Sequence, residues 1–142
     1  MGIVPTTNIK ALMKRCEGNV AKVAEQRAIA KLQYLGEKFL EAYRFHGSYR
    51  DRTGNLRNSG GYVVVVYGSI AYNGIEGSGK GANGPKEAKK LARILAGKYN
   101  KGYVLICMAG MDYAVHLELM DYDVIDTAEH VVRNSWNKVM KK

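Results

Sequence analysis

The sequence predicts one α+β domain over residues 1–142, with an antiparallel β-sheet packed against a long N-terminal helix and a C-terminal helix. Apolar residues recur at every third or fourth position at both ends of the chain, which is the helical period. Between these ends, runs of β-branched residues alternate with glycine-rich stretches, as expected for strands joined by loops. The chain has 142 residues, of which 46% are hydrophobic, so it can bury one core of useful size.

The N-terminal helix is predicted to cover most of residues 1–47. Thr7 or Asn8 can cap its first amides, because short polar side chains accept hydrogen bonds at that position. The apolar spacing continues along the whole segment and predicts one apolar face from end to end. Gly18 and Gly36 each cost about 1 kcal/mol relative to Ala inside a helix, so either could bend or break it.

Four consecutive valines at 63–66 predict a buried strand, because β-branched side chains lose rotamer freedom in a helix. The pattern continues weakly as far as Tyr72. A second apolar run at 102–108 predicts another strand, and residues 114–119 predict a shorter third extended segment. In chain order, the predicted units are the N-terminal helix (1–47), an arginine-rich turn (48–61), a sheet (62–119) and the C-terminal helix (124–141). The sheet is interrupted at residues 74–101 by a glycine-rich loop and a short basic helix, which runs from Pro85 to about Leu95.

The formal net charge is +9, and it is unevenly distributed. Residues 80–101 hold seven basic residues and one acidic residue, whereas residues 112–129 hold six acidic residues and no Lys or Arg. The two regions therefore carry net charges of +6 and −6. Regions of opposite charge give identical copies a means of pairing. The alternative, that both regions are solvated faces, stays open at this point.

The sequence gives little support for a membrane protein or for a nucleotide-binding protein. No apolar stretch reaches the roughly 18 residues that a membrane span needs, and no secretion signal is expected at the N-terminus. Residues 74–81 match the phosphate-loop spacing G-x-x-x-x-G-K, but Gly81 stands where that motif needs Ser or Thr for magnesium. We therefore expect no membrane contact and no cofactor.

An enzyme is not expected either. His116 and Glu118 would project from one face of a strand, but no nucleophile or third group accompanies them, so a structural histidine is the favoured interpretation. Cys16 and Cys107 lie in unrelated contexts and are expected to be small apolar core residues. The sequence thus predicts no catalytic residue, no disulfide and no metal site.

Nucleic-acid binding is the alternative from another functional class. The basic excess and ten tyrosines could neutralise a phosphate backbone and stack on bases. Most of the tyrosines, however, fall at positions expected to face the core, and only Tyr99 lies among basic residues, between Lys98 and Lys101. The sequence therefore favours loose contact with DNA at most, and a basic DNA-binding accessory protein is kept as the alternative function.

Residues 49–59, YRDRTGNLRNS, resemble a signature of the tail-completion or minor tail component family of long-tailed bacteriophages, D-x-T-G-x-L-R-x-S. In that family the signature follows an N-terminal helix and leads into the first strand. A second family feature, a Y-A-x-x-x-E strand before a short loop and the last helix, is matched by residues 113–118. The order of parts agrees over nearly the whole chain. The residues after Glu118 differ from the family, and Asp123-Val124 replaces its usual Pro-Phe, which leaves the subfamily and the position in the virion open.

The resemblance implies a non-enzymatic virion protein, made in the host cytoplasm, that forms a ring, commonly sixfold, at the head-proximal end of the tail or in the neck. Its partners would be further copies, other tail, neck or connector proteins, and genomic DNA in the channel. Asp51, Thr53 and Gly54 would form a tight turn into the strand, with Gly54 at positive φ. This turn either organises its own chain only or also presents arginines to a neighbour's carboxylates. The residues expected at the subunit interface are Arg50, Arg52, Arg57, Lys80, Lys86, Lys89, Lys90, Arg93, Asp112, Glu118, Asp121 and Asp123.

Overall fold

The computed structural model describes residues 2, 8–46, 54–75, 81, 83–112 and 114–141. It confirms the predicted α+β class, because a three-stranded antiparallel sheet packs against a long N-terminal helix and a C-terminal helix. The elements in chain order are α1 (Ile9–His46), α2 (Asn55–Asn58), β1 (Gly60–Val66), β2 (Ser69–Asn73), α3 (Asn83–Lys98), β3 (Tyr103–Ala109), α4 (Ala114–Leu119) and α5 (Asp126–Met140).

The central strand, β1, is covered on both faces, which explains its unbroken run of valines. Val63 and Val65 pack on one side against α3, through a row of alanines that includes Ala92. Tyr62 and Val64 face the other side, where they cluster with residues of α1. A strand buried on both faces loses the alternation of apolar and polar residues. The sheet therefore lies between α3 on one face and the α1–α5 pair on the other.

The strand order is β2-β1-β3, with both neighbours antiparallel to β1. β1 and β2 form a hairpin in which Val66 pairs with Ser69 across a two-residue turn. Both turn residues have positive φ, 48° at Tyr67 and 85° at Gly68. This is the turn geometry whose twist suits a two-residue hairpin. The residues after Val66 that weakly continue the strand pattern thus form a separate strand, β2, at the edge of the sheet.

Helix α1 begins as predicted and is unbroken. The Asn8 Oδ1 atom accepts hydrogen bonds from the amides of Lys10 (3.1 Å) and Ala11 (3.4 Å), which confirms Asn8 as a cap. Gly18 and Gly36 were predicted as positions of a possible bend or break, and the helix is not broken at either of them. At Gly36 the absence of a side chain serves packing, since a Cβ there would lie 2.2 Å from the buried ring of Tyr62.

The third extended segment predicted at 114–119 is also wrong, because these residues form α4 and the sheet ends at Ala109. The burial has a helical period: Ala114 and Leu117 face the core, whereas Val115 and Leu119 are exposed. The basic helix is longer than expected at both ends, and the C-terminal helix begins two residues later than expected. None of the helices in the described ranges is both long and apolar enough to cross a bilayer.

Two expectations about buried side chains need correction. Cys107 is mostly buried, and burial raises the pKa of its thiol to about 12, but Cys16 is exposed. Tyr43 and Tyr62 are core residues, whereas the other six described tyrosines are not. The exposed tyrosines are Tyr34, Tyr67, Tyr72, Tyr99, Tyr103 and Tyr122.

Candidate subunit interface

The turn that carries the phage-like signature is tied to the core by Leu56. Gly54 has φ 77°, which confirms the predicted positive φ, and it precedes the single turn of α2. Leu56 is buried in a cluster with Tyr43 and Val124. The carbonyl of Leu56 accepts hydrogen bonds from the Tyr43 hydroxyl (2.6 Å) and from the hydroxyl of the fully buried Ser59 (2.7 Å). The Gly, Leu and Ser of the signature therefore organise their own chain.

Of the three arginines in and around this turn, one lies in the described part of the chain. Arg57 is exposed at the end of α2. Of the remaining predicted turn and interface residues, Arg50, Asp51, Arg52, Thr53 and Lys80 lie outside the described residues.

Gly81, near the end of the glycine-rich segment, lies against the same turn. Gly81 has φ 90°, and a Cβ on it would lie 2.4 Å from the carbonyl carbon of Gly54. Ser or Thr at this position, which a phosphate loop requires, would be strained in conformation and would collide with backbone. Gly81 and the signature turn, which are far apart in the sequence, are thus in direct contact.

Helix α3 buries small side chains against the sheet and exposes charged side chains to solvent. Ala88, Ala92 and Ala96 face the sheet at intervals of four, so the helix packs closely on β1 and β3. The predicted interface residues of this helix are exposed on its other sides, and within the described part of the chain none of them forms an ion pair. These residues are Lys86, Lys89, Lys90 and Arg93.

The carboxylates of the acidic segment, residues 112–129, fall into two groups, some hydrogen-bonded within the chain and others exposed. The Glu118 carboxylate accepts hydrogen bonds from the amides of Val124 (3.0 Å) and Ile125 (2.5 Å), and Asp123 accepts from the amide and the hydroxyl of Thr127. Both carboxylates therefore hold the chain where it enters α5, where negative charge also suits the helix dipole. Asp112 and Asp121, in contrast, are exposed.

The acid–base pair considered from the sequence does not form. It required His116 and Glu118 to share one face of a strand, but they lie two residues apart on α4 and point in different directions. His116 is exposed, whereas Glu118 bonds to the entry of α5. Among the described residues there is no group of three or more His, Cys, Asp or Glu side chains that could hold a metal ion.

The +6 and −6 regions adjoin within one subunit. Lys90 and Ile94 of α3 line one groove of about 380 Å³ together with Asp112 and Val115. The basic helix and the beginning of the acidic segment are therefore neighbours in the same chain. A basic surface that lies far from the acidic segment is present on a different helix of the chain.

That surface is the N-terminal part of α1, which we call the arm (residues 9–27). Every residue from 8 to 27 is exposed, although the arm carries a stripe of apolar side chains. Five basic residues and two acidic ones flank this stripe, a net charge of +3. At its base the stripe enters a groove of about 600 Å³ between α1 and Met140, at the end of α5. The apolar members of the stripe are Ile9, Leu12, Met13, Cys16, Val20, Val23 and Ala24.

Sequence reasoning found the stripe but not its exposure. Spacings of three and four predict an apolar face without stating whether the same chain or another chain covers it. In comparisons with known proteins, no family model, no curated protein and no solved structure matches this chain.

Proposed function

We propose that this chain is a structural subunit of a tailed-phage virion, one copy of a ring that completes the tail or joins it to the neck. Assembly of identical copies and a place in the virion are supported by different observations. Neither requires a cofactor or a catalytic residue.

The arm is the observation that carries assembly. An isolated helix of this length is only marginally stable in water, and most helical stability in proteins comes from packing an amphipathic face. Here the apolar stripe stays in water when the subunit is alone. Exposed apolar surface of this extent is typical of protein–protein contact. We infer that the arm is covered in the functional state by a second protein surface.

The place in the virion is supported by the signature turn and its setting. Gly54, Leu56 and Ser59 stand at the Gly, Leu and Ser positions of D-x-T-G-x-L-R-x-S. Their turn connects a long N-terminal helix to the first strand, as the resemblance to the tail-completion family implies. A long helix, a small antiparallel sheet and a last helix follow the order of parts expected for that family, but residues 114–119 form a helix where the family feature is a strand.

The test is the mass of the pure protein over a range of concentrations, with and without duplex DNA. We expect one discrete oligomer whose mass does not respond to DNA and which forms rings in negative-stain images. A tagged copy should appear at the tail–neck junction of virions. A chain that stays monomeric at all concentrations, or that is missing from mature particles, contradicts the proposal.

The second candidate is a basic DNA-binding accessory protein, favoured by the exposed basic residues of α3. Neutralisation of phosphates would make binding fall steeply with salt. Reversal of Lys89, Lys90 and Arg93 to Glu separates the two candidates. The structural proposal expects this variant to form rings as readily as the wild type, because α3 adjoins the acidic segment of its own subunit. A salt-sensitive DNA complex of the monomer that is lost in the variant favours the accessory protein.

A further inference from the structure

Helix α4 and the turn after it form a second exposed apolar surface, which we call the acidic patch (residues 112 and 114–122). Leu119 is 77% exposed and Val115 64% exposed, and they lie one helical turn apart on the same side of α4. Met120 and Tyr122 extend this apolar surface beyond the helix. Exposed acidic side chains, Asp112 and Asp121, lie at its two ends in the sequence. The patch therefore has an apolar centre with an acidic side chain at each end, and Lys90 of α3 lies beside Asp112.

The arm has the complementary composition. Its apolar stripe is flanked by Lys10, Lys14, Arg15, Lys22 and Arg27 against only Glu17 and Glu25. Docking the arm on the acidic patch would join two apolar surfaces and place opposite charges around them, which favours both encounter and register. Docking two arms on each other would instead bring together two surfaces of net charge +3.

The two surfaces cannot meet within one subunit. The acidic patch lies at the C-terminal end of α1, because Ala114 packs with Phe39 and Tyr43. The arm lies at the other end of the same unbroken helix. Tyr43 and Val23 are separated by about 30 Å at a rise of 1.5 Å per residue. Helix α1 thus holds the arm away from the patch of its own chain.

The path of α5 agrees with this separation. Its first turn packs near Phe39 through Ala128, and its end reaches Lys31, whose Nζ donates to the carbonyl of Met140 (3.5 Å). Helix α5 therefore runs antiparallel to the C-terminal part of α1 and ends where the arm begins. Among the described elements, none continues along the arm.

From these positions we infer that the arm of one copy docks on the acidic patch of the next copy. Different surfaces then meet at each contact, so every subunit donates an arm at one end and accepts one at the other. Such head-to-tail contacts close into a ring when the rotation between neighbours permits it. The inference rests on the assembly part of the proposed function and assigns the surfaces that carry it.

The experiment uses thiol cross-linking of the full chain with a short bismaleimide. The exposed thiol of Cys16 lies on the arm stripe, so Leu119→Cys adds one reactive partner on the acidic patch. Cross-links between these positions should convert the monomer band into a ladder of covalent multimers. The same result is expected when the arm thiol is moved to Val23 and the patch thiol is kept (Val23→Cys and Cys16→Ser together with Leu119→Cys).

Three controls use the same chemistry. The wild-type chain, with Cys16 alone on the arm, reports docking of two arms. Leu119→Cys with Cys16→Ser reports contact between two patches. Tyr67→Cys, an exposed position in the β1–β2 turn at the end of the sheet opposite α4, reports random collision. All three should stay monomeric on a denaturing gel.

The mass of each variant before cross-linking separates the inference from the function on which it rests. An oligomer that gives no ladder from either arm position overturns the docking assignment and leaves the ring in place. A wild-type dimer through Cys16, or an equal ladder from Tyr67→Cys, also overturns it. A chain that is monomeric by mass overturns both.

Discussion

The two parts of α1 carry the same apolar spacing but lie in opposite surroundings. From Ile29 to Tyr43 the apolar face packs against the sheet and α5, and Leu35 and Phe39 are completely or almost completely buried. In the arm, the same spacing leaves every side chain exposed. One helix thus belongs to the core of its own subunit at one end and extends away from that core at the other.

This difference shows what an amphipathic pattern does and does not specify. The pattern specifies that a face must be covered, and the rest of the fold decides which surface covers it. Helix α5 ends beside Lys31, so the cover supplied by the chain ends there as well. The stripe continues beyond that point without a partner from the described elements. We propose that another copy provides one.

The largest expected difference comes from the same substitution in the two parts of the helix. Leu35→Ala should lower the free energy of unfolding by about 2–5 kcal/mol, because it removes a buried side chain and leaves a cavity. Leu12→Ala should change the stability of the dilute monomer by no more than about 0.5 kcal/mol, because Leu12 is 45% exposed. Urea unfolding at low protein concentration measures both.

Raising the protein concentration sharpens this comparison. A partner that binds only the folded chain adds stability by mass action. Leu12→Ala should therefore become destabilising relative to wild type as the protein assembles. An equal loss for the two variants in the dilute monomer would show that the arm is packed within its own chain.

Glycines provide a second matched pair, with effects of opposite sign. A Cβ at Gly36 would lie 2.2 Å from the buried ring of Tyr62, so Gly36→Ala should destabilise the fold by about 1–3 kcal/mol. A Cβ at Gly18 meets nothing within 4 Å. Gly18→Ala should make the arm helix more favourable by about 1 kcal/mol, seen as a gain in helical circular dichroism. A loss of helix in Gly18→Ala would contradict the open surroundings of the arm.

The sequence predicted the elements that depend on strong local patterns. Asn8 as a cap, the run of valines in β1 and the positive φ of Gly54 all follow from preferences of single residues or short segments. The assignment of residues 114–119 failed because six residues are too few to separate the two periods. The helix there depends on packing of Ala114 and on Glu118, which bonds to amides that follow it in the chain.

The candidate interface was harder to predict than the fold. Charge counts along the sequence paired the basic helix with the acidic segment, but the structure places Lys90 and Asp112 at one groove of the same subunit. Distances through space, and not along the chain, decide which charged surfaces are left for a neighbour. The arm was not recognised as one of them because its apolar spacing is also that of a core helix.

Thiol reactivity is the smallest effect, and it also distinguishes the two environments. Cys16 is exposed on the arm, whereas burial raises the pKa of Cys107 to about 12. Since the thiolate is the reactive form, a maleimide should label Cys16 first and Cys107 only slowly. Mass spectrometry of the labelled peptides measures the two rates. Equal rates in the folded monomer would contradict the difference in burial.

Hydrogen exchange along α1 tests most directly whether a second copy covers the arm. In dilute solution the amides of residues 28–46 should be protected, while those of the arm exchange quickly because the isolated helical segment opens readily. At concentrations where the protein assembles, protection should spread into the arm and appear at the same time in α4. If the exchange of arm amides is the same at every concentration while the oligomer forms, the arm is not part of the subunit contact.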